Sequence, residues 1–323
     1  MQNKNKRQHF IPQCYLRLFS LDKKKVNVYS KKHVRKSPIQ AISKTAYKDY
    51  FYNIPQKIIV RNNLEIPTTF YETEFFAKVV EQEYSKLLGK LTLVEIENEK
   101  ITKAQPLTID EKQLFAALIA VQYLRLPTVI DEYWETYRKT GIASLDIIKS
   151  FMASQHPDQK KFIDRIELDL DKDYKPVEHS NLYTDENLIA NLQDLILDKI
   201  WIFHVTKDNF HTSDNPIIVK PHVPGQKTIY HGFGTYGSEI IFPLSSNVLL
   251  SMFDRKHFHE LECEHENFLI IDSKKTREYN CYQYFFSEHE VYSKINDFKG
   301  YELLKADNNG EDIFLKQSAT KIY

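Results

Sequence analysis

The sequence predicts an α+β protein in which a helical first half packs on an antiparallel sheet formed mainly by the second half. Apolar residues recur at helical spacing between residues 70 and 198, and alternating β-prone runs follow from Trp201 onward. The composition, 42% hydrophobic and 13% aromatic in 323 residues, is ample for a buried core. The length allows one large domain or two smaller ones, and we expect a single domain over 1–323, helix-rich over 1–199 and sheet-rich over 200–323.

The N-terminal stretch His9–Ser20 mixes polar and aromatic residues where most chains carry a frayed end. Pro12 fixes its own φ and biases the residue before it away from helical geometry, so a short helix is expected to begin at or just after Pro12. Gln13 and Arg17 then lie four residues apart on one face, with His9 beside Gln13. This combination suits a phosphate or carboxylate ligand. The alternative is that His9 and Gln13 only satisfy backbone groups at the helix start.

A capping-box pattern, Thr69-x-x-Glu72, precedes apolar residues at helical spacing and predicts a helix from about residue 70 to residue 88. Glu74 and Glu81 lie two turns apart on its polar face. Paired carboxylates can act as acid and base or bind a cation. On an amphipathic helix they are more often solvated, and both interpretations stay open.

A second capping box begins at Thr108 and opens a helix that is apolar on nearly every side and is expected to end near Leu126, before a proline. Gln122 and Arg125 come at its buried C-terminal end. A buried guanidinium needs an anionic partner, which would be an acidic side chain such as Glu74 or the phosphate of a ligand. Interaction of Arg125 with the helix dipole is the structural alternative.

Two further helical patterns complete the first half. One runs from Ile130 to His156 with an expected break at Gly141, and the other runs from Asp185 to Asp198 with Thr184 as the expected N-cap. The acidic segment 164–171 alternates like a strand but fits a surface helix equally well.

In the second half, Trp201–Thr206 is predicted to be a strand and Phe210–Thr212 its hairpin partner. The sequence Ser-Asp-Asn-Pro then begins at Ser213. An Asx-type turn alone would explain these residues. In the functional alternative, Asp214 projects toward a cleft from the end of a strand, with Ser213 and Asn215 beside it to bind substrate. Further strands are predicted over 217–219, 239–242, 247–253 and 267–271.

One segment, 257–266, is rich in residue types that bind zinc. If it is extended, a single face holds His257, His259, Cys263 and His265. The spacing matches no known zinc pattern, and a solvated edge strand or short helix explains the segment more simply. We therefore predict no metal site here.

Charge and cysteine content indicate which binding partners and which cellular compartment to expect for this protein. The 44 basic and 44 acidic residues cancel, but residues 1–36 hold eleven Lys or Arg against one acid, which gives this end a preference for anions such as RNA or DNA or for a protein partner. Solvated lysines are the simpler explanation of such a run. Three cysteines make no even disulfide framework, and no apolar run resembles a signal segment or spans a bilayer. We expect a cytoplasmic protein without membrane association.

The stretch H-F-I-P-Q-C-Y-L-R-L-F-S, with T-S-D-N-P beginning at Thr212, resembles a widespread microbial family named domain of unknown function 4238. In that family the N-terminus reads approximately H-[FY]-[VI]-P-Q-x-Y-L-R-x-F, and a second block reads approximately S-D-N-P-[VI]. Both blocks occur here in the same order, although Cys14 stands where the family more often has an aromatic residue. The resemblance spans most of the chain and includes a late Asn280-x-x-Gln283. It implies one domain and a shared polar site, and no particular activity.

These observations lead to one candidate site and two functional hypotheses. The leading hypothesis is a hydrolase or nuclease-like enzyme that acts on a phosphodiester or nucleotide, and, by association only, a toxin or antiphage effector. In it His9 is the acid or base, Arg125 and Arg17 neutralise phosphate, and Asp214 orients the histidine or holds a divalent cation. The alternative is a non-catalytic nucleic-acid-binding or protein-assembly module, in which the same residues form a structural polar network. The residues expected to meet at the site are His9, Gln13, Glu74, Gln122, Arg125 and Asp214.

Overall fold

The structure, a computed structural model, describes residues 6–32, 39–224 and 232–301. A π-helix over Tyr71–Val80 leads directly into one of the α-helices. The α-helices of the described residues are α1 (Gln13–Leu16), α2 (Gln56–Arg61), α3 (Glu81–Leu91), α4 (Ile109–Leu124), α5 (Pro127–Gln155), α6 (Lys160–Ile163), α7 (Lys175–Thr184), α8 (Glu186–Leu197) and α9 (Ser273–Phe286).

The strands are short, and most of them belong to the second half of the chain. In chain order they are β1 (Arg7–His9), β2 (Lys25–Ser30), β3 (Ile39–Ala41), β4 (Tyr47–Asp49), β5 (Glu95–Glu97), β6 (Lys100–Lys103), β7 (Ile200–Val205), β8 (Thr212–Ser213), β9 (Ile218–Pro221), β10 (Ser238–Pro243), β11 (Val248–Phe253), β12 (Phe268–Ile270) and β13 (Glu290–Ser293).

The larger of the two main sheets has five strands in the order β12-β7-β11-β10-β9, all antiparallel except that β12 runs parallel to β7. Every one of its strands comes from the second half of the chain, and the predicted α+β class with this arrangement is confirmed. A second sheet, in the order β3-β2-β13-β8, pairs strands from the two ends of the chain. The sequence analysis did not predict this second sheet.

Apolar side chains are buried on both faces of the five-stranded sheet. Along β11, Leu250 and Met252 belong to the main core with Phe115 of α4, whereas Leu249 packs on the other face with Tyr279 of α9. Successive side chains of a strand point to opposite faces. The sheet therefore lies between the helical half and α9.

The helix α4 begins and ends as its sequence predicts. Thr108 forms a complete capping box, and the helix ends at Leu124 before Pro127 opens α5. The expected break at Gly141 was wrong, since α5 continues through it to residue 155. A Cβ at Gly141 would lie 2.7 Å from the Leu168 side chain, so close packing explains the glycine.

Two predicted helix caps were wrong. Thr69 makes no capping box, because the chain from Tyr71 takes up π-helical geometry and no side chain caps its start. The N-cap of α8 is Asp185, whose carboxylate accepts the backbone N–H groups of the next turn. Thr184 instead ends α7, and its hydroxyl donates to a carbonyl one turn back. The carboxylate offers a stronger acceptor than the neighbouring hydroxyl at the same junction.

The predicted hairpin between β7 and residues 210–212 was also wrong. Thr212 and Ser213 form β8, which pairs with β13 in the other sheet, while β7 pairs with β11 and β12. The chain thus crosses between the two sheets at residues 206–211. The acidic segment 164–171 forms neither a strand nor a helix.

Candidate functional site

The N-terminal stretch is anchored in the core as a strand followed by a helical turn. β1 pairs with β4, with His9 opposite Tyr47, and α1 begins immediately after Pro12 as predicted. Tyr15 is buried, and its hydroxyl contacts Thr212 Oγ1 at 2.6 Å and donates to the Pro243 carbonyl at 2.7 Å. This contact connects the first sequence block to the second.

The Arg125 guanidinium is completely buried, at 0% exposure, beside the N-terminal stretch. Nε donates to the Tyr52 hydroxyl at 3.1 Å, and Nη2 donates to the His9 carbonyl at 2.5 Å. The guanidinium also lies over the Phe76 ring, 3.9 Å from its centroid. Arg125 therefore holds the main chain of the first block in place.

The acid that contacts Arg125 is Glu81. One of its oxygens, Oε1, lies 3.4 Å from both Nη1 and Nη2. Glu74, suggested by the sequence as the partner, pairs with Lys78 at 2.6 Å on the exposed side of the π-helix. That expectation was wrong because it assumed α-helical spacing.

The π-helix also brings Glu72 toward Arg125. Glu72 and Glu81 are nine residues apart, about two and a half turns of an α-helix, which would place them on opposite sides. The wider i→i+5 turns of a π-helix place the Glu72 carboxyl within electrostatic reach of the guanidinium that Glu81 contacts. Burial raises the pKa of Glu72 to about 7; the charge of Arg125 lowers it, and the charge of Glu81 adds to the rise. Two carboxyls and one guanidinium thus share a partly buried site.

Several buried polar atoms around this site make no hydrogen bond within the described residues. They are His9 Nε2, the Tyr84 hydroxyl and the Tyr183 hydroxyl. The charge of Arg125 reaches each of these groups. Buried polar atoms usually have partners, so these three offer bonding capacity to a ligand or to water.

The His9 imidazole is neutral at pH 7. Burial, followed by the charge of Arg125, lowers its pKa to about 4, which nearby carbonyl groups of Ser43 and Ile42 only partly oppose. Gln13 Nε2 lies 3.5 Å from His9 Nδ1, at the outer limit of a hydrogen bond. His9 is therefore held loosely by its side chain and firmly by its main chain.

Of the other predicted site residues in the first half, one joins the cluster and one does not. Gln122 is buried and donates from Nε2 to the Phe10 carbonyl at 3.0 Å. Arg17 is exposed at the end of α1 and takes no part in the contacts of Arg125. The structure thus brings His9, Gln13, Gln122 and Arg125 together and leaves Arg17 and Glu74 outside.

The second block forms a turn on α9 and β13. Ser213 Oγ donates to Gln283 Oε1 at 2.8 Å, and Asn215 Nδ2 donates to the Phe286 carbonyl at 3.1 Å. The Asp214 carboxylate accepts three backbone N–H groups, those of residues 288, 289 and 290, at 2.8–3.1 Å. Burial raises the pKa of Asp214 to about 6, although N–H groups of this turn lower it.

The two blocks share a wall but do not form one cluster. Asp214 and Phe10 line the same cleft of about 310 Å³. Among the described residues, however, no hydrogen bond or ion pair joins His9 to Ser213, Asp214 or Asn215. Asp214 is therefore placed to order the turn before β13, and Arg125 with its two carboxyls is the chemically richer site.

A family model described as "Protein of unknown function (DUF4238)" matches residues 7–297. The chain belongs to this family. No curated protein and no solved structure matches the chain. The matched range contains both sequence blocks and every residue of the Arg125 site of this DUF4238 chain.

Sequence reasoning missed Glu72 as a site residue and treated it only as part of a cap. Nothing in the pattern around Tyr71–Val80 of this DUF4238 chain distinguishes a π-helix from an α-helix, because the apolar positions fit either. The aromatic residues of this segment indicate only that it is packed against the core. Phe75 and Phe76 pack around Tyr183 beside the site.

Sequence reasoning also missed a second buried polar cluster, on the α9 face of the large sheet of the DUF4238 chain. Glu239 accepts from His222 Nε2 at 2.8 Å, from Ser251 at 3.1 Å and from the Tyr279 hydroxyl at 3.3 Å. Burial alone would raise the pKa of Glu239, but these donors and the charge of Lys220 hold it below its ordinary value. A lone glutamate in an alternating strand gave no sign of this network.

The segment 257–266, which is rich in residue types that bind zinc, is not extended in the DUF4238 chain. Residues His259–Glu264 form a 3₁₀ helix, and His265 accepts from the Trp201 backbone N–H and contacts Lys112. Within the described ranges no group of three His, Cys, Asp or Glu side chains is placed to hold a metal ion. No single described helix has the length and apolar composition to cross a membrane; only α4 and α5 taken together, bent by 62°, meet those two criteria.

Proposed function

We propose that this protein is a hydrolase that acts on a phosphodiester or a nucleotide, with Glu72 as its general acid and Glu81 as its general base. The observation that supports this most strongly is the pKa of about 7 at Glu72, beside Glu81 and Arg125. A group with a pKa near the working pH is the most efficient proton donor and acceptor. A carboxyl that keeps its proton near neutral pH is able to act as the acid of such a reaction.

The long contacts of Arg125 support a phosphate ligand. Its bonds to Tyr52 and His9 are 3.1 and 2.5 Å, whereas both contacts to Glu81 are 3.4 Å. The edge of the guanidinium that faces Glu81 is thus the most weakly bonded part. A phosphate oxygen would bind this edge more strongly than the present contact does, since charge-assisted bonds are typically 2.7–2.9 Å. Arg125 itself is 0% exposed and the Glu81 side chain that covers this edge is 29% exposed, so a ligand reaches the edge by displacing Glu81.

In the proposed reaction Glu72, Glu81 and Arg125 each have one role. Water adds to phosphorus while the bond from phosphorus to the leaving oxygen breaks. Neutral Glu72 gives its proton to the leaving oxygen, Glu81 accepts a proton from the attacking water, and Arg125 balances the negative charge on phosphate. The two carboxyls also suit Mg²⁺, which proteins often bind through one or two carboxylates together with substrate phosphates. With a pKa of about 4, His9 has no proton to donate at pH 7 and is a weak base, so donation of the proton is assigned to Glu72 in its place.

The experiment measures hydrolysis by the full chain of bis(p-nitrophenyl) phosphate, nucleoside triphosphates, single-stranded RNA and single-stranded DNA, each with Mg²⁺ and with EDTA. Glu72→Gln is expected to lower kcat by at least about a hundredfold. In the wild type, activity is expected to fall as the pH rises above about 7, because the acid form of Glu72 is lost. Wild-type and E72Q chains expressed in bacteria also test a toxin role, since only the wild type is expected to slow growth.

The matched control is Glu74→Gln, on the same π-helix but exposed and paired with Lys78. It is expected to change kcat less than about twofold, because exposed ion pairs contribute little. The proposal fails if none of the substrates is hydrolysed, or if E72Q keeps wild-type activity while folding normally.

The alternative, a non-catalytic module, is favoured by a different observation: Ser213, Asp214 and Asn215 direct their side chains to groups of this chain. In that case Asp214→Ala would cost several kcal/mol of stability, about 1–3 for each N–H left without a partner. Binding to RNA would weaken as salt rises. Of the basic segment proposed as its contact, residues 1–5 and 33–36 lie outside the described residues.

A further inference from the structure

A large cavity lies beside α9 and shares no residue with the Arg125 site. Its volume is about 1110 Å³, which is large enough for a ligand of nucleotide size. The turn after β7, the turn before β11, one face of α9 and the segment after β13 form its walls. Nothing in the proposed hydrolytic function uses it.

The inner wall of this cavity is a hydrogen-bonded polar network. His211 is buried, with Nε2 2.9 Å from Asp297 Oδ1 and Nδ1 in contact with the Tyr301 hydroxyl. Asn280 accepts the His211 backbone N–H at 2.8 Å and donates to the Asn209 carbonyl at 2.9 Å. Burial disfavours the Asp297 carboxylate, but the hydrogen bond and the charge of His211 hold its pKa below the ordinary value. These groups are already bonded to one another and serve as the scaffold of the cavity.

The outer part of the same cavity carries donors that are not used. No other described residue makes a hydrogen bond or ion pair with the side-chain donors of Ser246, Asn247, Ser273, Arg277 or Lys294. Small-molecule sites are commonly organised in this way: the side chains of the wall hydrogen-bond to one another, and polar groups at the rim are available to the ligand.

The charge of the lining is positive where it is accessible. The lining holds three cations, Lys207, Arg277 and Lys294, and two carboxylates, Asp208 and Asp297. Lys207 lies 3.8 Å from Glu99, so the cations without an ion pair among the described residues are Arg277 and Lys294. Asp297 is already paired with His211. The unused charge at the rim therefore attracts an anion.

We propose that this cavity binds a sugar phosphate, either free or as part of a nucleotide. The Arg277 guanidinium provides a planar fork that matches a phosphate, and Lys294 adds a second positive charge. The hydroxyls of Ser246 and Ser273 and the Asn247 amide are donors and acceptors of the kind that bind sugar hydroxyls. The cavity is thus a second ligand site, between the turns at the ends of β7 and β11, α9 and the segment after β13.

Isothermal titration calorimetry of the full chain in phosphate-free buffer tests this proposal with ribose 5-phosphate, AMP, adenosine, ribose and inorganic phosphate. Ribose 5-phosphate and AMP are expected to bind at least about tenfold more tightly than ribose or adenosine, which lack the phosphate, and more tightly than inorganic phosphate, which lacks the sugar. Comparing ribose 5-phosphate with AMP shows whether the ligand is a free sugar phosphate or a nucleotide.

Arg277→Gln is expected to weaken binding of the preferred probe by at least about tenfold, the effect of losing one charge-assisted contact. The matched control is Lys274→Gln, which removes an exposed charge from the same helix outside the cavity and is expected to change affinity less than twofold. Arg277→Gln is also expected to leave hydrolysis of bis(p-nitrophenyl) phosphate unchanged, because Arg277 lies outside the Arg125 site, and this separates the two sites. The proposal is overturned if neither phosphorylated probe binds, if inorganic phosphate binds as tightly as ribose 5-phosphate, or if K274Q weakens binding as much as R277Q.

Discussion

At the residue scale, Arg125 connects the stability of the fold to the chemistry of the site. Arg125→Met keeps most of the side-chain volume but removes the donors to the His9 carbonyl and the Tyr52 hydroxyl. We expect a loss of about 3–5 kcal/mol in the free energy of unfolding, as for other buried charges whose partners are left behind. Urea denaturation monitored by circular dichroism measures this loss.

Arg138→Met is the control for this prediction, because Arg138 makes an ion pair with Glu135 on the exposed side of α5. It is expected to leave the free energy of unfolding nearly unchanged. Equal losses in the two variants would contradict the anchoring role of Arg125.

The same residue shows how far the sequence could lead. The apolar surroundings of Arg125 predicted a buried guanidinium in need of an anion, and both features are present. The sequence could not predict that the anionic partner of Arg125 is Glu81 and not Glu74. That choice depends on the turn width of the helix that carries both acids. Asp214 was assigned to the same site because a single sequence does not show whether a polar side chain bonds to its own backbone neighbourhood or to a distant polar block. In the structure Asp214 bonds to the backbone of residues 288–290.

At the element scale, two identical sequence patterns behave differently. Both Thr69 and Thr108 begin a T-x-x-E motif, but only Thr108 accepts the N–H of its third helical residue. Thr108→Ala is therefore expected to cost about 1 kcal/mol of stability, the usual value of an N-cap. Thr69→Ala, which removes no cap, is expected to cost much less. Equal losses in urea denaturation would show that the capping box adds nothing.

Local patterns predicted elements well and pairings poorly. The alternation in β7 was sufficient to locate that strand, and the capping box located α4. The pairing of β2 with β13 joins residues more than 250 positions apart, which no local pattern encodes. The π-helix was equally inaccessible, since it differs from an α-helix in hydrogen bonding and not in which positions are apolar.

At the scale of the whole molecule, buried titratable groups make the stability depend on pH in opposing ways. Burial lowers the pKa values of His9 and His204 to about 4 and of His179 to about 3, from an ordinary 6.5. Their contribution to stability is present above pH 6.5 and is lost as the pH falls through these values. Burial raises the pKa values of Glu72 and Asp214 to about 7 and 6, so these two groups favour the folded state increasingly as the pH falls.

His204 offers the clearest test of this balance, because its ring is buried on the sheet and its Nδ1 has no partner among the described residues. His204→Phe keeps a ring of similar size against Tyr279 but takes up no proton on unfolding. Between pH 6.5 and 4, the wild type is expected to lose stability more steeply than the variant, by about 1.4 kcal/mol for each pH unit, the value of one proton. Urea denaturation at pH 7, 6, 5 and 4.5 measures both curves. Parallel curves would mean that His204 is already protonated in the folded protein, and the buried neutral histidine would have to be abandoned.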